Sequence, residues 1–140
     1  AAAAALWTTL RALPLTRAGL GRHLAAARAA ALRVAAALED DDRTALVVEP
    51  ETDIVCVLPA GASAAAASAA GERAFATLAD EGWHVAKLRL RTEWLRKSHP
   101  GVTPDAETTV ALRCCLLKQE HAGIARDLAA VLAEHLTCDR

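Results

Sequence analysis

Residues 109–136, TVALRCCLLKQEHAGIARDLAAVLAEHL, contain two segments with different apolar periodicities. The first, 109–117, is a short and largely apolar run of the length that buried strands have. The second, 120–136, repeats apolar side chains at spacings of three and four residues, as an amphipathic helix does. A strand followed at once by such a helix predicts that the helix packs its apolar stripe on a sheet. The stripe consists of Ile124, Leu128, Val131, Leu132 and Leu136.

The segments before residue 109 also show strand and helix patterns. Residues 84–91 alternate between two faces, which predicts a strand with Ala86, Leu88 and Leu90 on one of them. A predicted helix at 63–81 is followed by a glycine that suits a helix carboxyl terminus. The other predicted elements are strands at 44–48 and 53–58 and leading helices at 2–13 and 16–38.

The order of these elements is two helices, then β, β, α, β, β, α. It predicts an α+β fold with a four-stranded, mostly antiparallel sheet and the helices at 63–81 and 120–136 on one face. We divide the chain into leading helices at 1–43 and an α+β domain at 44–140. The connection at 92–108 is long, and connections of this length often form lids or edges of sites.

Composition excludes several classes of partner. The formal net charge is -1, so no net field attracts nucleic acid or an anionic membrane, and we expect neither as a partner. The apolar runs are rich in alanine and interrupted by arginine, and none reaches the length of a membrane span. We therefore expect a soluble, cytoplasmic protein. The chain contains no methionine, and we interpret it as a fragment or processed product of a longer protein.

The cysteines and histidines do not predict a metal site. No two cysteines have the C-x-x-C spacing, and the five histidines are scattered along the chain. We interpret the thiols as reduced residues of the core. The cysteines are Cys56, Cys114, Cys115 and Cys138.

Arg113 is the strongest candidate for a functional side chain. It is a charged residue in the middle of an apolar strand, between Leu112 and Cys114, and a guanidinium there needs an anion or a solvated face. Its neighbours on the same strand face, Ala111 and Cys115, are small and leave room for a ligand carboxylate. The structural alternative is a salt bridge to a nearby aspartate or glutamate.

Three stretches of the chain occur in an order that is typical of one enzyme family. They are PETDIVCVLP at 50–59, AFATLADEGWHVAKLRL at 74–90 and TTVALRCCLLKQEHAGIARDLAAVLAEHL at 108–136. They resemble the carboxy-terminal domain of the group II pyridoxal-phosphate-dependent decarboxylases, which act on glutamate, diaminobutyrate and aromatic amino acids. Residues 2–40 also resemble the helices that follow the active-site lysine segment in that family.

The resemblance implies the type I, aspartate-aminotransferase-like fold, in which a small domain closes over pyridoxal phosphate held by a larger domain of a homodimer. It implies decarboxylation of an amino-acid substrate and places Arg113 where relatives of glutamate decarboxylase contact the substrate carboxylate. Many relatives have proline where Gln119 stands. The large-domain motifs, among them the Schiff-base lysine, are absent from the match, so no catalytic, cofactor-binding or metal-binding residue is assigned here.

The chain's own lysines are expected to be surface cations. Lys87, Lys97 and Lys118 all lie outside the family's lysine context, so we expect the isolated chain to be inactive. His121, near the start of the last predicted helix, is interpreted as a packed or capping residue.

Two other functions stay open at this point. One is a different type I pyridoxal-phosphate activity, an aminotransferase or a cysteine desulfurase, because related small domains serve several reactions. The other is a non-catalytic α+β module for dimerisation or ligand binding.

Overall fold

The computed structural model describes residues 2–118 and 120–138 of the chain. The described residues form an α+β fold with five helices and one four-stranded antiparallel sheet, which confirms the predicted fold class. Gln119 lies outside the described residues. The helices are α1 (Ala2–Ala12), α2 (Arg22–Glu39), α3 (Ala64–Asp80), α4 (Thr92–Leu95) and α5 (His121–His135). The strands are β1 (Thr44–Leu46), β2 (Ile54–Pro59), β3 (Ala86–Arg91) and β4 (Thr108–Cys115).

The strands lie in the order β1-β2-β4-β3, and every neighbouring pair is antiparallel. The first two strands form an antiparallel hairpin, in which Ala45 pairs with Leu58. β4 is the last strand in the sequence but lies inside the sheet, between β2 and β3. Arg113 of β4 therefore has a strand partner on each side, Cys56 of β2 and Ala86 of β3.

One face of the sheet forms the main core together with α2, α3 and α5. The strand side chains on this face are Val55, Val57, Leu112 and Cys114. Because α3 and α5 contribute to this same cluster, the prediction that both helices pack on one face is confirmed. The leading helix α2 joins them. Its buried residues are Ala27, Ala30, Ala31, Val34, Ala35 and Leu38.

Small residues bring α3 close to the central strand β4. A Cβ atom on Gly71 would lie 3.1 Å from the backbone oxygen of Val110, a tight contact. One turn earlier in α3, the hydroxyl of Ser68 accepts the Val110 N–H at 3.0 Å. Helix and strand are thus held together through backbone atoms as well as through apolar side chains.

The opposite side of the sheet, which we call the Arg113 face, carries Cys56, Leu88, Ala111 and Arg113. It is partly covered by the connection between β3 and β4, in which Leu95 and Val102 are buried. The predicted long connection is therefore a cover over part of the sheet, and it begins with the short helix α4. His99 anchors the cover, because its Nε2 lies 3.1 Å from the backbone oxygen of Val47.

The amino-terminal segment is largely exposed. α1 contributes no buried residue, and Leu24 at the start of α2 is 51% exposed. In the connection between these helices, the Gly19 N–H donates to Thr16 Oγ1 at 3.0 Å. Among the described residues, no helix combines the length and the apolar character that a membrane crossing requires.

Candidate anion-binding site at Arg113

Strand alternation places the Arg113 side chain on the side of β4 that the main helical core does not occupy. Its chain neighbours Leu112 and Cys114 face the helices, so Arg113 points the other way. Across the sheet it lies between Cys56 and Ala86, and neither side chain is long enough to cover a guanidinium. Small side chains therefore flank Arg113 on both sides as well as along its own strand.

Arg113 lies at the border between the covered and the open part of this face. Towards the start of β4, Ala111 is fully buried beneath the cover formed by Leu95 and Val102. Towards the end of β4, Cys115 is exposed, and its strand partner Ile54 is 39% exposed. A small molecule can therefore reach Arg113 from the open end of β4.

The guanidinium of Arg113 has an unused buried donor. Its Nε atom is buried and makes no hydrogen bond to any part of the chain that the structure describes. No carboxylate within residues 2–118 and 120–138 forms a salt bridge with Arg113, so the structural alternative is not found there. A buried donor without an acceptor costs about 1 to 3 kcal/mol. An anion that accepts this N–H would recover part of that free energy.

The thiol beside Arg113 is not arranged as a nucleophile. Burial raises the pKa of Cys56, and the positive charge of Arg113 opposes that increase only in part. A protonated thiol is a poor nucleophile and adds no negative charge next to the guanidinium. The site therefore presents one cation with small, uncharged neighbours, which suits binding of an anion and supplies no group for covalent chemistry.

The cysteine prediction is correct for two residues and wrong for one. Cys56 and Cys114 are buried free thiols, and burial raises the pKa of Cys114 to about 12. Cys115 is exposed because it follows Cys114 on a strand and points to the opposite, uncovered face. Cys138, at the end of the described chain, is half-buried.

The three lysines are exposed, which confirms that they are surface cations. Lys87 Nζ lies 2.6 Å from Glu72 Oε2 and 4.7 Å from the ring centre of Phe75, so its ammonium group is already bound. His121 is the first residue of α5 and accepts the Lys118 N–H at Nδ1 at 3.3 Å, a bond to the segment before the helix and not a helix cap. None of these residues lies on the Arg113 face of β4.

Sequence reasoning missed the partners that frame Arg113. Cys56 is 57 positions away in the chain, and only the strand register places it opposite. Leu95 and Val102 are apolar residues in a largely polar connection, and this contrast was the available signal of a covering segment. In comparisons with known proteins, no protein-family model and no curated protein sequence matches this chain.

Proposed function

We propose that this chain is the small domain of a pyridoxal-phosphate-dependent amino-acid decarboxylase and that Arg113 binds a carboxylate of the substrate. One observation carries the proposal: a half-buried guanidinium on a sheet face has a buried Nε that makes no hydrogen bond to the described residues. The three stretches that resemble the group II decarboxylases support the choice of reaction.

The chain's own residues do not fit pyridoxal phosphate. A lysine that holds this cofactor must be deprotonated and positioned, whereas Lys87 is paired with Glu72 and both Lys97 and Lys118 are exposed. The proposal therefore assigns the cofactor to a separate, larger domain of a homodimer. When bound there, pyridoxal phosphate would supply the electron sink for loss of the carboxylate as carbon dioxide.

The role left for this chain is to bind and orient the substrate. A guanidinium can form two parallel hydrogen bonds with a carboxylate, and this geometry fixes the orientation as well as the position of the ligand. Arg113 is held by strand pairing on both sides, so its backbone is a rigid support. The same site also supports the non-catalytic alternative, a ligand-binding module, because carboxylate binding at Arg113 requires no cofactor.

Arginine side-chain NMR tests the binding step on the chain itself. We expect the Arg113 Nε–H resonance to shift saturably when L-glutamate is added, because an unused donor gains an acceptor. The exposed Arg89 is the matched reference for weak ionic effects. An Arg113 shift no larger than that of Arg89 would contradict the proposed site.

The decarboxylase assignment needs its own test. It requires a cofactor domain with a Schiff-base lysine encoded in the same gene, so the coding sequence upstream of Ala1 should contain that segment. The intact protein should then release carbon dioxide from an amino acid. A gene without such a segment would leave the ligand-binding module as the function.

A further inference from the structure

A second cleft lies at the end of the sheet, where the loop before β3, the end of β4 and the start of α5 meet. Its volume is about 650 Å³, within the range of about 300 to 1,000 Å³ that is usual for small-molecule sites. Arg113 is not among its lining residues. The cleft therefore adjoins the open end of the Arg113 face at Cys115 but does not include Arg113 itself.

The wall of this cleft is apolar and continuous with the main core. Leu116 and Leu128 are buried behind it, and Trp83 and Val85 pack against the same core cluster. Ile124 lies in front and is 37% exposed, although its place on the apolar stripe of α5 predicts burial. The cleft thus leaves an isoleucine side chain beside open volume that an apolar ligand could fill.

The rim of the cleft carries polar and charged side chains of both signs. Lys118 is exposed there and next to His121, whose Nδ1 accepts the Lys118 N–H. A neutral imidazole that accepts at Nδ1 carries its proton on Nε2, so the ring offers a donor. Within the described part of the lining, the only carboxylate is Glu81, and its Oε2 lies 3.1 Å from His135 Nε2. Lys118 is therefore the free charge of the rim.

From this geometry we infer that the cleft binds a monocarboxylic acid with an apolar chain or ring. The carboxylate lies at Lys118 and His121, and the apolar part packs against Ile124 and Trp83. Charge complementarity selects an anionic head group, and the apolar wall rejects small polar acids. This site goes beyond the proposed function, since it needs neither Arg113 nor a cofactor.

The two isoleucines of the chain provide a direct test. Ile124 lies in the cleft, whereas Ile54 lies on the Arg113 face, so methyl NMR of the unmodified chain separates the two sites. Titration with octanoate should shift the Ile124 methyl signal saturably, whereas L-glutamate, which has no apolar chain, should leave the Ile124 signal in place. Octanol should bind more weakly and octylamine weakest, because only octanoate has a head group that Lys118 attracts.

Two variants and a control sharpen the result. Ile124→Glu should abolish octanoate binding, and Lys118→Glu should weaken it about tenfold or more, because a carboxylate would then face the ligand head group. Leu15→Glu places the same charge at a side chain that is 73% exposed and outside the cleft, and it should leave binding unchanged. Circular dichroism of each variant checks that it is folded.

Several outcomes would overturn the inference. An Ile124 signal that does not move with octanoate, an equal shift of Ile124 with L-glutamate, or equal loss of binding in Leu15→Glu would each do so. Should Ile124→Glu not fold, the unmodified chain and Lys118→Glu still decide. A shift of Ile54 alone would support the Arg113 site and contradict this one, so failures of the two proposals can be told apart.

Discussion

Arg113 of β4 lies directly opposite Cys56 of β2, with its Nε buried and without an acceptor among the described residues. The pair combines a permanent cation with a thiol that burial keeps protonated. An apolar side chain at position 113 would stabilise the sheet at least as well as Arg113 does. This makes stability and ligand binding separable at position 113.

Replacing Arg113 by methionine should therefore stabilise the fold and abolish carboxylate binding. Methionine keeps the apolar part of the side chain and removes a buried donor that costs about 1 to 3 kcal/mol, so we expect a gain of about 1 kcal/mol in the free energy of unfolding. Urea denaturation measures the first effect and the glutamate titration the second. A variant that is clearly less stable yet binds normally per folded molecule would make Arg113 structural.

In the proposed decarboxylase, Arg113→Ala should lower kcat/KM by about ten- to a hundredfold. A charge-assisted hydrogen bond to a carboxylate contributes about 1.5 to 3 kcal/mol, and this variant loses it. Arg113→Lys should recover only part of the activity, because an ammonium group cannot reproduce a two-point contact. Steady-state kinetics beside thermal unfolding of the same samples distinguishes loss of binding from loss of folded protein.

The stability of the fold should decrease in alkaline solution because of Cys114. Burial raises the pKa of this thiol from 9.0 to about 12, so above pH 9 the unfolded chain loses the proton first. The stabilisation from the protonated Cys114 thiol is complete below pH 9. Above that pH, the free energy of unfolding decreases by at most about 1.4 kcal/mol per pH unit towards pH 12. In urea denaturation between pH 8 and about pH 11, the free energy of unfolding should decrease less steeply with pH for Cys114→Val than for the unmodified chain. Cys115→Ser, at an exposed thiol, should keep the original slope, and identical slopes for all three chains would contradict the assignment.

Two glycine substitutions in helices should have opposite effects. Gly71→Ala places a methyl group 3.1 Å from the Val110 oxygen, in the backbone of an inner strand. Such overpacking costs about 1 to 3 kcal/mol, more than the helix gain of about 0.5 to 1 kcal/mol. Gly123→Ala in α5 meets nothing within 4 Å and should show only the gain. Thermal unfolding measures both, and a stabilised Gly71→Ala would mean that α3 and β4 can move apart without loss.

The isolated chain should form no stoichiometric adduct with pyridoxal phosphate. Its three lysines are exposed or paired, and none is positioned as a deprotonated nucleophile. After treatment with the cofactor and borohydride, mass spectrometry should find slow labelling that is distributed over the lysines. Complete labelling at Lys87 or Lys118 alone would contradict the assignment of the cofactor to another domain.

Local periodicity was enough to predict most of the fold. The alternation at 84–91 and the apolar stripe of 120–136 each report on side chains within one element, and both elements form as expected. The predicted burial of this stripe was less accurate in detail. Ile124 is exposed, because it lies at the start of α5, where the core ends. Periodicity identifies the face of a helix, but it does not show how far along the helix the neighbouring elements extend.

The candidate site could be predicted only in part. A charged residue within an apolar strand identified Arg113 without any knowledge of the fold. The pairing with Cys56 and the burial of Nε depend on contacts between distant segments, which no local pattern encodes. The second cleft depends on the meeting of three segments, and Trp83 and Ile124 come together only in the folded chain.

The position of β4 inside the sheet also affects how the chain can fold during synthesis. β2 and β3 are made first, but each depends on β4 as a neighbour, and β4 is complete only at residue 115. Until then the growing chain can form the β1–β2 hairpin, while the β3 edge has no strand to pair with. A ribosome-bound chain that stops before residue 108 should therefore expose β2 and β3 to chaperones and proteases, and protection should appear abruptly once β4 and α5 emerge.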